Sequence, residues 1–156
     1  MATPVRELIL DNIYTVLNTI SIANGYKTDV TSVERTLVPW GDIGAAQMPW
    51  VGFAPIGQSS VEYKPNHLLQ VRLPVTIVGH VSVVAGELKT QALAKIEDDI
   101  IAVINADTTR DGNAIRTNWQ GTQTDEGNTD SNDHRGGSGT LVMAFDILYQ
   151  RSVNST

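Results

Sequence analysis

Two runs of strict alternation constrain the fold of this 156-residue chain more than any other feature of its sequence. Apolar residues occupy every second position from Leu69 to Ile77, and again from Leu141 to Tyr149. This period of two is typical of a β-strand with one buried face. The runs therefore predict two long strands, at 69–77 and 140–151. Pro74 cannot donate a ladder hydrogen bond, so we expect it at a bulge or an edge position.

Two other segments show helical spacing. Residues 4–22 follow Thr3-Pro4, which suits a helix start, and carry apolar residues three and four apart up to the stop signal Asn24-Gly25. Residues 86–105 carry a second apolar stripe of this kind. Shorter strands are predicted at 29–38, at 48–56, whose alternation resumes at 59–63, and at 113–120. The order helix, three strands, helix, two strands predicts an α/β fold of the α+β type, a two-layer sandwich with a mostly antiparallel sheet and both helices packed on one face.

Composition limits the classes of protein that the chain can belong to. A length of 156 residues with 41% hydrophobic and 18% charged residues predicts a single domain, 1–156. The absence of cysteine excludes disulfides, thiolate metal sites and a cysteine nucleophile. No stretch approaches the roughly 18–20 apolar residues that cross a bilayer, and no basic region precedes an apolar run at the N-terminus, so we expect neither a membrane span nor a secretion signal. A net charge of −6 with scattered basic residues makes nucleic-acid binding a poor expectation.

Two loops stand out as candidate contact sites. Residues 39–48 form a Gly-containing loop that carries Trp40 and Ile43, and these apolar side chains need a partner, either the chain's own core or a neighbouring subunit. Residues 121–139 contain no aliphatic side chain and no Phe, Tyr or Trp, which predicts a flexible polar loop. Such a loop is either functional or simply solvated. If it contacts a partner, Asp125 and Arg135 are the expected contact residues.

Motifs that carry chemistry are missing from the sequence. The three histidines lie in different segments without the spacing of metal ligands, and the acidic residues of 121–139 do not fit a calcium-loop pattern. A nucleophile elbow, a phosphate-binding loop and a dinucleotide fingerprint are all absent. We therefore predict no catalytic residues, no metal site and no cofactor, and a protein that works by assembling with other subunits.

The arrangement resembles the tail terminator, or tail completion, proteins of long-tailed bacteriophages. The resemblance rests on element order, length and apolar pattern over almost the whole chain, without an invariant motif. It is carried by the opening helix 5–13, the strands at 29–33 and 48–51, the hairpin, the helix 89–105 and the terminal strand 141–149.

This resemblance implies a virion protein, assembled in the host cytoplasm, that is not an enzyme. Members of the family form a six-membered ring on the head-proximal end of the tail tube, stop tube growth, and present a surface to the neck or head-completion protein. The implied partners are thus further copies of the chain, the major tail tube protein and the neck protein, while DNA passes without specific binding. The alternatives are another phage head-completion or minor tail subunit, a small ligand- or metal-binding module, and an enzyme of unrecognised type.

Overall fold

The predicted α+β architecture is confirmed by a computed structural model that describes residues 3–39, 42–57, 59–125 and 135–152. The helices are α1 (Val5–Leu17) and α2 (Lys89–Asn105), with short 3₁₀ turns at Ile22–Asn24 and Ala45–Gln47. The strands are β1 (Ser32–Glu34), β2 (Trp50–Pro55), β3 (Ser60–Lys64), β4 (Leu68–Leu88), β5 (Arg116–Asp125) and β6 (Arg135–Ser152). Four strands thus precede α2 instead of three, because the predicted second strand, 48–56 with its continuation at 59–63, is two separate strands, β2 and β3.

The sheet is organised around β4, in the order β1-β2-β4-β6-β5. β3 also pairs with β4, continuing along the same side of it as β2. The β1–β2 pair is parallel and every other pair is antiparallel. The longest ladder joins β4 to β6, from Leu68 opposite Ser152 to Leu88 opposite Arg135, with a register shift between Val83 and Leu88.

The main core lies between the helices and one face of the sheet, which we call the helical face. Alternate residues of β4 and β6 supply the sheet side, and the apolar stripes of α1 and α2 supply the other. Two strand glycines let α2 approach the sheet closely. A Cβ added at Gly79 would lie 3.3 Å from the side chain of Ile96, and one added at Gly139 would lie 3.2 Å from that of Leu93.

Several boundaries differ from those that periodicity predicts. α1 ends at Leu17 instead of residue 22, although Ile20 beyond it is buried, and the chain then turns through the 3₁₀ segment to Gly25, which has φ 93°. β1 covers only Ser32–Glu34 of the predicted 29–38. β4 runs eleven residues past the predicted end at Ile77, directly into α2, because its later residues pair with β6.

The predicted polar loop 121–139 is too long at both ends. Residues 121–125 belong to β5 and residues 135–139 to β6, and residues 126–134 lie outside the described part of the chain. A ladder is held by backbone N–H and C=O groups, so polar Thr, Gln, Ser and Gly residues can extend a strand that apolar periodicity does not reveal.

Pro74 occupies an edge position, as predicted. β2 ends at Pro55 opposite Val75, and β3 begins at Ser60 opposite Arg72, so neither strand pairs with β4 at Pro74 on that side. The Pro74 carbonyl accepts a hydrogen bond from the Ile56 amide at 3.2 Å. The missing N–H of Pro74 therefore faces the gap between β2 and β3, where no ladder bond is lost.

Two buried charged side chains fasten connecting segments to α2. The Asp99 carboxylate accepts hydrogen bonds from the Lys27 backbone amide at 3.0 and 3.1 Å, which ties the turn after α1 to the middle of α2. The fully buried Arg110 guanidinium donates to the Ile104 carbonyl in the last turn of α2. Burial lowers the pKa of Arg110, and the Asp107 carboxylate opposes that shift.

Neighbouring positions on α2 allow a matched test of the Asp99 anchor. Asp99→Ala removes the charged acceptor of the partly buried hydrogen bond from the Lys27 amide, so we expect a loss of about 1–3 kcal/mol in the free energy of unfolding, measured by urea denaturation. Asp98→Ala is the control, because Asp98 forms a surface ion pair with the Lys27 ammonium and its side chain is 57% exposed. Equal losses in the two variants would contradict the assigned role of Asp99.

Candidate interaction surfaces

The opposite face of the sheet, which we call the outer face, is partly covered by the chain itself. The cover segment, by which we mean the described residues 35–39 and 42–49, packs across this face through Thr36, Val38, Ile43 and Met48. Ile43, Met48 and Trp50 form a second apolar cluster there, with Val38 against it. Thr31 helps to anchor the end of the segment, since its amide donates to the Pro49 carbonyl at 2.8 Å.

His80 joins the cover segment to the sheet. It is 2% exposed and stacks on Trp50, with ring centroids 5.2 Å apart and planes at 25°. Its Nε2 lies 2.8 Å from the Val38 carbonyl oxygen, and its Nδ1 lies 2.8 Å from Oγ1 of Thr140. A carbonyl can only accept, so Nε2 carries the proton, and in the neutral ring Nδ1 accepts from the Thr140 hydroxyl. Burial lowers the pKa of His80, and the Val38 hydrogen bond opposes this shift.

The four contact residues predicted from the sequence do not form one surface. Ile43 is 8% exposed and packed in the second cluster, so the chain's own residues supply the partner that the sequence left open. We therefore do not carry Ile43 forward as an interface residue. Trp40 lies outside the described residues.

Asp125 and Arg135 lie at strand ends on either side of residues 126–134. Asp125 ends β5 opposite Thr140 of β6, whereas Arg135 begins β6 opposite Leu88 of β4. The two positions are therefore on different rungs and pair with different strands. The backbone brings both to the same end of the sheet, the end at which α2 begins.

At the other end of the sheet, apolar side chains are left uncovered. We call residues 60–70 of the β3–β4 hairpin the hairpin tip. Val61 and Tyr63 lie opposite Val71 and Leu69, so they point to the helical face, yet they are 51% and 78% exposed. These side chains are exposed because α2 is much shorter than β4. The 21 residues of β4 span about 70 Å before twist, whereas the 17 residues of α2 span about 25 Å.

The outer face beside the hairpin tip is polar. Glu62 and Lys64 form an ion pair at 2.8 Å, and hydrogen bonding to Lys64 lowers the pKa of Glu62. Arg72 and Asp146 form another ion pair at 2.8 Å on the same face. The hairpin tip is thus two-sided, with apolar side chains on the helical face and paired charges on the outer face. The alternation of Val61 and Tyr63 in the sequence indicates that both side chains lie on one face of a strand. Alternation does not reveal that no helix covers them there.

An open pocket of about 230 Å³ lies between the turn after α1, β4 and α2. Two of its charged side chains hold the surrounding structure together. Lys27 pairs with Asp98 at 2.8 Å, and Asp29 accepts from the Ile22 amide at 2.6 Å. Within the described ranges, no three His, Asp or Glu side chains gather in a way that could hold a metal ion. The helices in the same ranges include none that is long and apolar enough to span a bilayer.

Comparison with known proteins does not place the chain in a family. Neither the known protein-family models nor the curated protein sequences give a match.

Gly52 gives a direct test of how the cover segment packs. A Cβ at this position would lie 2.2 Å from the Trp50 ring and 2.3 Å from the Thr36 carbonyl oxygen, so Gly52→Ala must displace either the indole or the backbone of the cover segment. We expect a loss of about 3 kcal/mol in the free energy of unfolding, at the upper end of typical overpacking costs. Thermal and urea denaturation followed by circular dichroism measure this loss.

Gly44→Ala is the control for Gly52→Ala. Gly44 lies in the same cover segment, and a Cβ added there would meet no atom closer than 4.0 Å. We expect Gly44→Ala to melt close to the wild type. An unchanged stability in Gly52→Ala would mean that the cover segment does not lie against β2 in solution.

Proposed function

We propose that this protein is a structural subunit of a long-tailed phage virion that caps the head-proximal end of the tail tube. In this proposal, six copies form a ring that ends tube polymerisation and offers a surface to the neck or head-completion protein. The chain acts through protein contacts and not as an enzyme. Support comes from the sequence resemblance together with the α+β fold, a mostly antiparallel sheet with two helices, that the resemblance implies.

The observation that carries the proposal is the uncovered apolar side of the hairpin tip. Tyr63 is 78% exposed beside Val61, at the end of a sheet that extends past its helices. Tyrosine is enriched among the residues that contribute most to protein–protein binding, because its ring offers a large rigid surface and its hydroxyl can hydrogen-bond. An exposed aromatic and aliphatic pair on a hairpin held by the central strand is suited to such a contact.

The size of this surface also sets a limit. A stable interface buries about 800 Å² on each partner, whereas one tyrosine and one valine contribute only a few hundred. The hairpin tip is therefore one anchor within a larger contact, and we propose that the ends of β5 and β6 near Asp125 and Arg135 supply another. These two regions lie at opposite ends of the sheet. Head-to-tail contacts between two different surfaces of one subunit generate closed rings when the rotation closes.

The charge of the chain agrees with a channel role in this proposal. Each copy carries a net charge of −6, so a ring of several copies repels the phosphates of DNA that passes through it. Repulsion permits sliding, whereas a basic lining would hold the DNA.

The hairpin tip can be tested on assembly directly. We expect the wild type to shorten and narrow the length distribution of polymerising tail tubes in electron micrographs, and to appear in mass photometry as a species of about six times 16.9 kDa, alone or on tube ends. Val61→Lys combined with Tyr63→Lys should require at least about tenfold more protein for the same capping, which corresponds to about 1.4 kcal/mol. Both side chains are exposed, so the thermal melt should stay close to that of the wild type.

Ile22→Lys provides the matched control, because Ile22 is also an exposed aliphatic residue, at 60%, but lies in the turn after α1. We expect it to cap normally. A wild-type protein that stays monomeric and never reaches tube ends would refute the proposed function. Normal capping by the lysine variant of the hairpin tip would instead refute only the assigned surface.

A further inference from the structure

The buried side chain of His80 holds the cover segment to the sheet. Among the described residues of the outer face, it is the one buried side chain that can titrate. His80 receives the segment through the Val38 carbonyl and joins it to β6 through Thr140. It also supports the ring of Trp50, around which Ile43 and Met48 are packed. One imidazole therefore connects the backbone of the cover segment, the apolar cluster beneath it and two strands.

We infer that His80 is a pH-sensitive latch, whose protonation releases the cover segment, residues 35–39 and 42–49, from the outer face and exposes the apolar surface around Trp50. This inference goes beyond the proposed function and does not depend on it. It concerns a local opening, because the cluster of Ile43, Met48 and Trp50 is separate from the main core beneath the helices. The helical face can stay packed while the outer face opens.

The closed arrangement is built for the neutral imidazole. Its hydrogen bonds use one donor, Nε2–H to Val38, and one acceptor, Nδ1 from Thr140. A second proton on Nδ1 requires the Thr140 hydroxyl to turn from donor to acceptor. It also places a full charge in a site that is 2% exposed.

The charged side chains that the structure describes on the cover segment and on β4 and β6 have other partners or are exposed. In the cover segment, Arg35 pairs with Glu7 and Asp11, and Asp42 is exposed. On β4 and β6, Arg72 pairs with Asp146. Asp125 of β5 occupies the same rung as His80, beyond Thr140. Burial lowers the pKa of His80, and the hydrogen bond to the Val38 carbonyl opposes that shift.

The direction of the pH effect follows from linkage. In the closed form burial holds the pKa of His80 below its ordinary value of 6.5, and in the open form the exposed ring recovers that value. Above pH 6.5 both forms are neutral and the closed form has its full advantage. As the pH falls below 6.5 the open form binds the proton first, so the opening constant rises by up to about tenfold per pH unit until the closed form also titrates.

Hydrogen–deuterium exchange of the full chain tests the latch. After correction for intrinsic exchange rates, we expect protection of peptides within 35–49 to fall by up to about tenfold per pH unit below pH 6.5. Peptides from α2 and the middle of β6 should not change. In a protein with Trp40→Phe and Trp119→Phe, acrylamide quenching of Trp50 should rise over the same pH range. His80→Gln, which retains an amide donor but does not titrate, should lose this pH dependence, while the exposed control His67→Asn should keep it.

Three results would overturn the inference. The first is amide protection of 35–49 that does not change with pH in the wild type. The second is the same loss of protection at low pH in His80→Gln. The third is a simultaneous loss of protection in α2, which would mean global unfolding. If His80→Gln does not fold, the comparison between the cover segment and α2 in the wild type still decides, because a latch predicts a change in the first alone.

Discussion

The ladder between β4 and β6 is the interaction on which the rest of the structure depends. It joins the two longest strands from Leu68 opposite Ser152 to Leu88 opposite Arg135, and every other strand except β1 pairs with one of these two. Its alternate residues form the sheet side of the main core. Gly79 and Gly139 within it determine how closely α2 can approach the sheet. Because the ladder is longer than either helix, the same sheet has both a well-packed centre and strand ends without a helical cover.

The two faces of this ladder are completed in different ways. On the helical face, α1 and α2 bury a continuous apolar surface. On the outer face the cover comes from an irregular segment, whose backbone needs a side-chain partner, and His80 supplies it at the Val38 carbonyl. The absence of a side chain at Gly52 makes room for the Trp50 ring and for the backbone at Thr36. His80 and Gly52 together explain how an irregular segment can stay packed on the sheet.

Periodicity was enough to predict the parts of the fold where burial is one-sided. The alternation in 69–77 and 141–149 and the stripes of both helices identified the core elements, the sandwich and the position of Pro74. It failed where backbone pairing, and not side-chain burial, determines structure. Residues 121–125 and 135–139 are polar or glycine, yet they extend β5 and β6. For the same reason the polar loop was predicted too long.

The candidate surfaces were only partly predictable, since they depend on distances between elements. Ile43 was correctly recognised as needing a partner, but only the structure shows that the cover segment folds back over Trp50 to provide it. His80 looked like an isolated histidine because its partners, Val38 and Thr140, are 42 and 60 residues away. Tyr63 lay within a predicted strand, and its exposure follows from where α2 ends, which no local pattern encodes.

Site-specific photo-crosslinking at position 63 tests most directly the central claim that this protein works through contacts made by its uncovered strand ends. A photoreactive phenylalanine analogue would replace Tyr63 in the full chain, with the exposed position Glu62 on the opposite face of β3 as the control. After assembly on tail tubes, we expect strong crosslinks from position 63 to another copy of the chain or to a tube subunit, and few from position 62. Equal and weak crosslinking at both positions in fully capped tubes would contradict it.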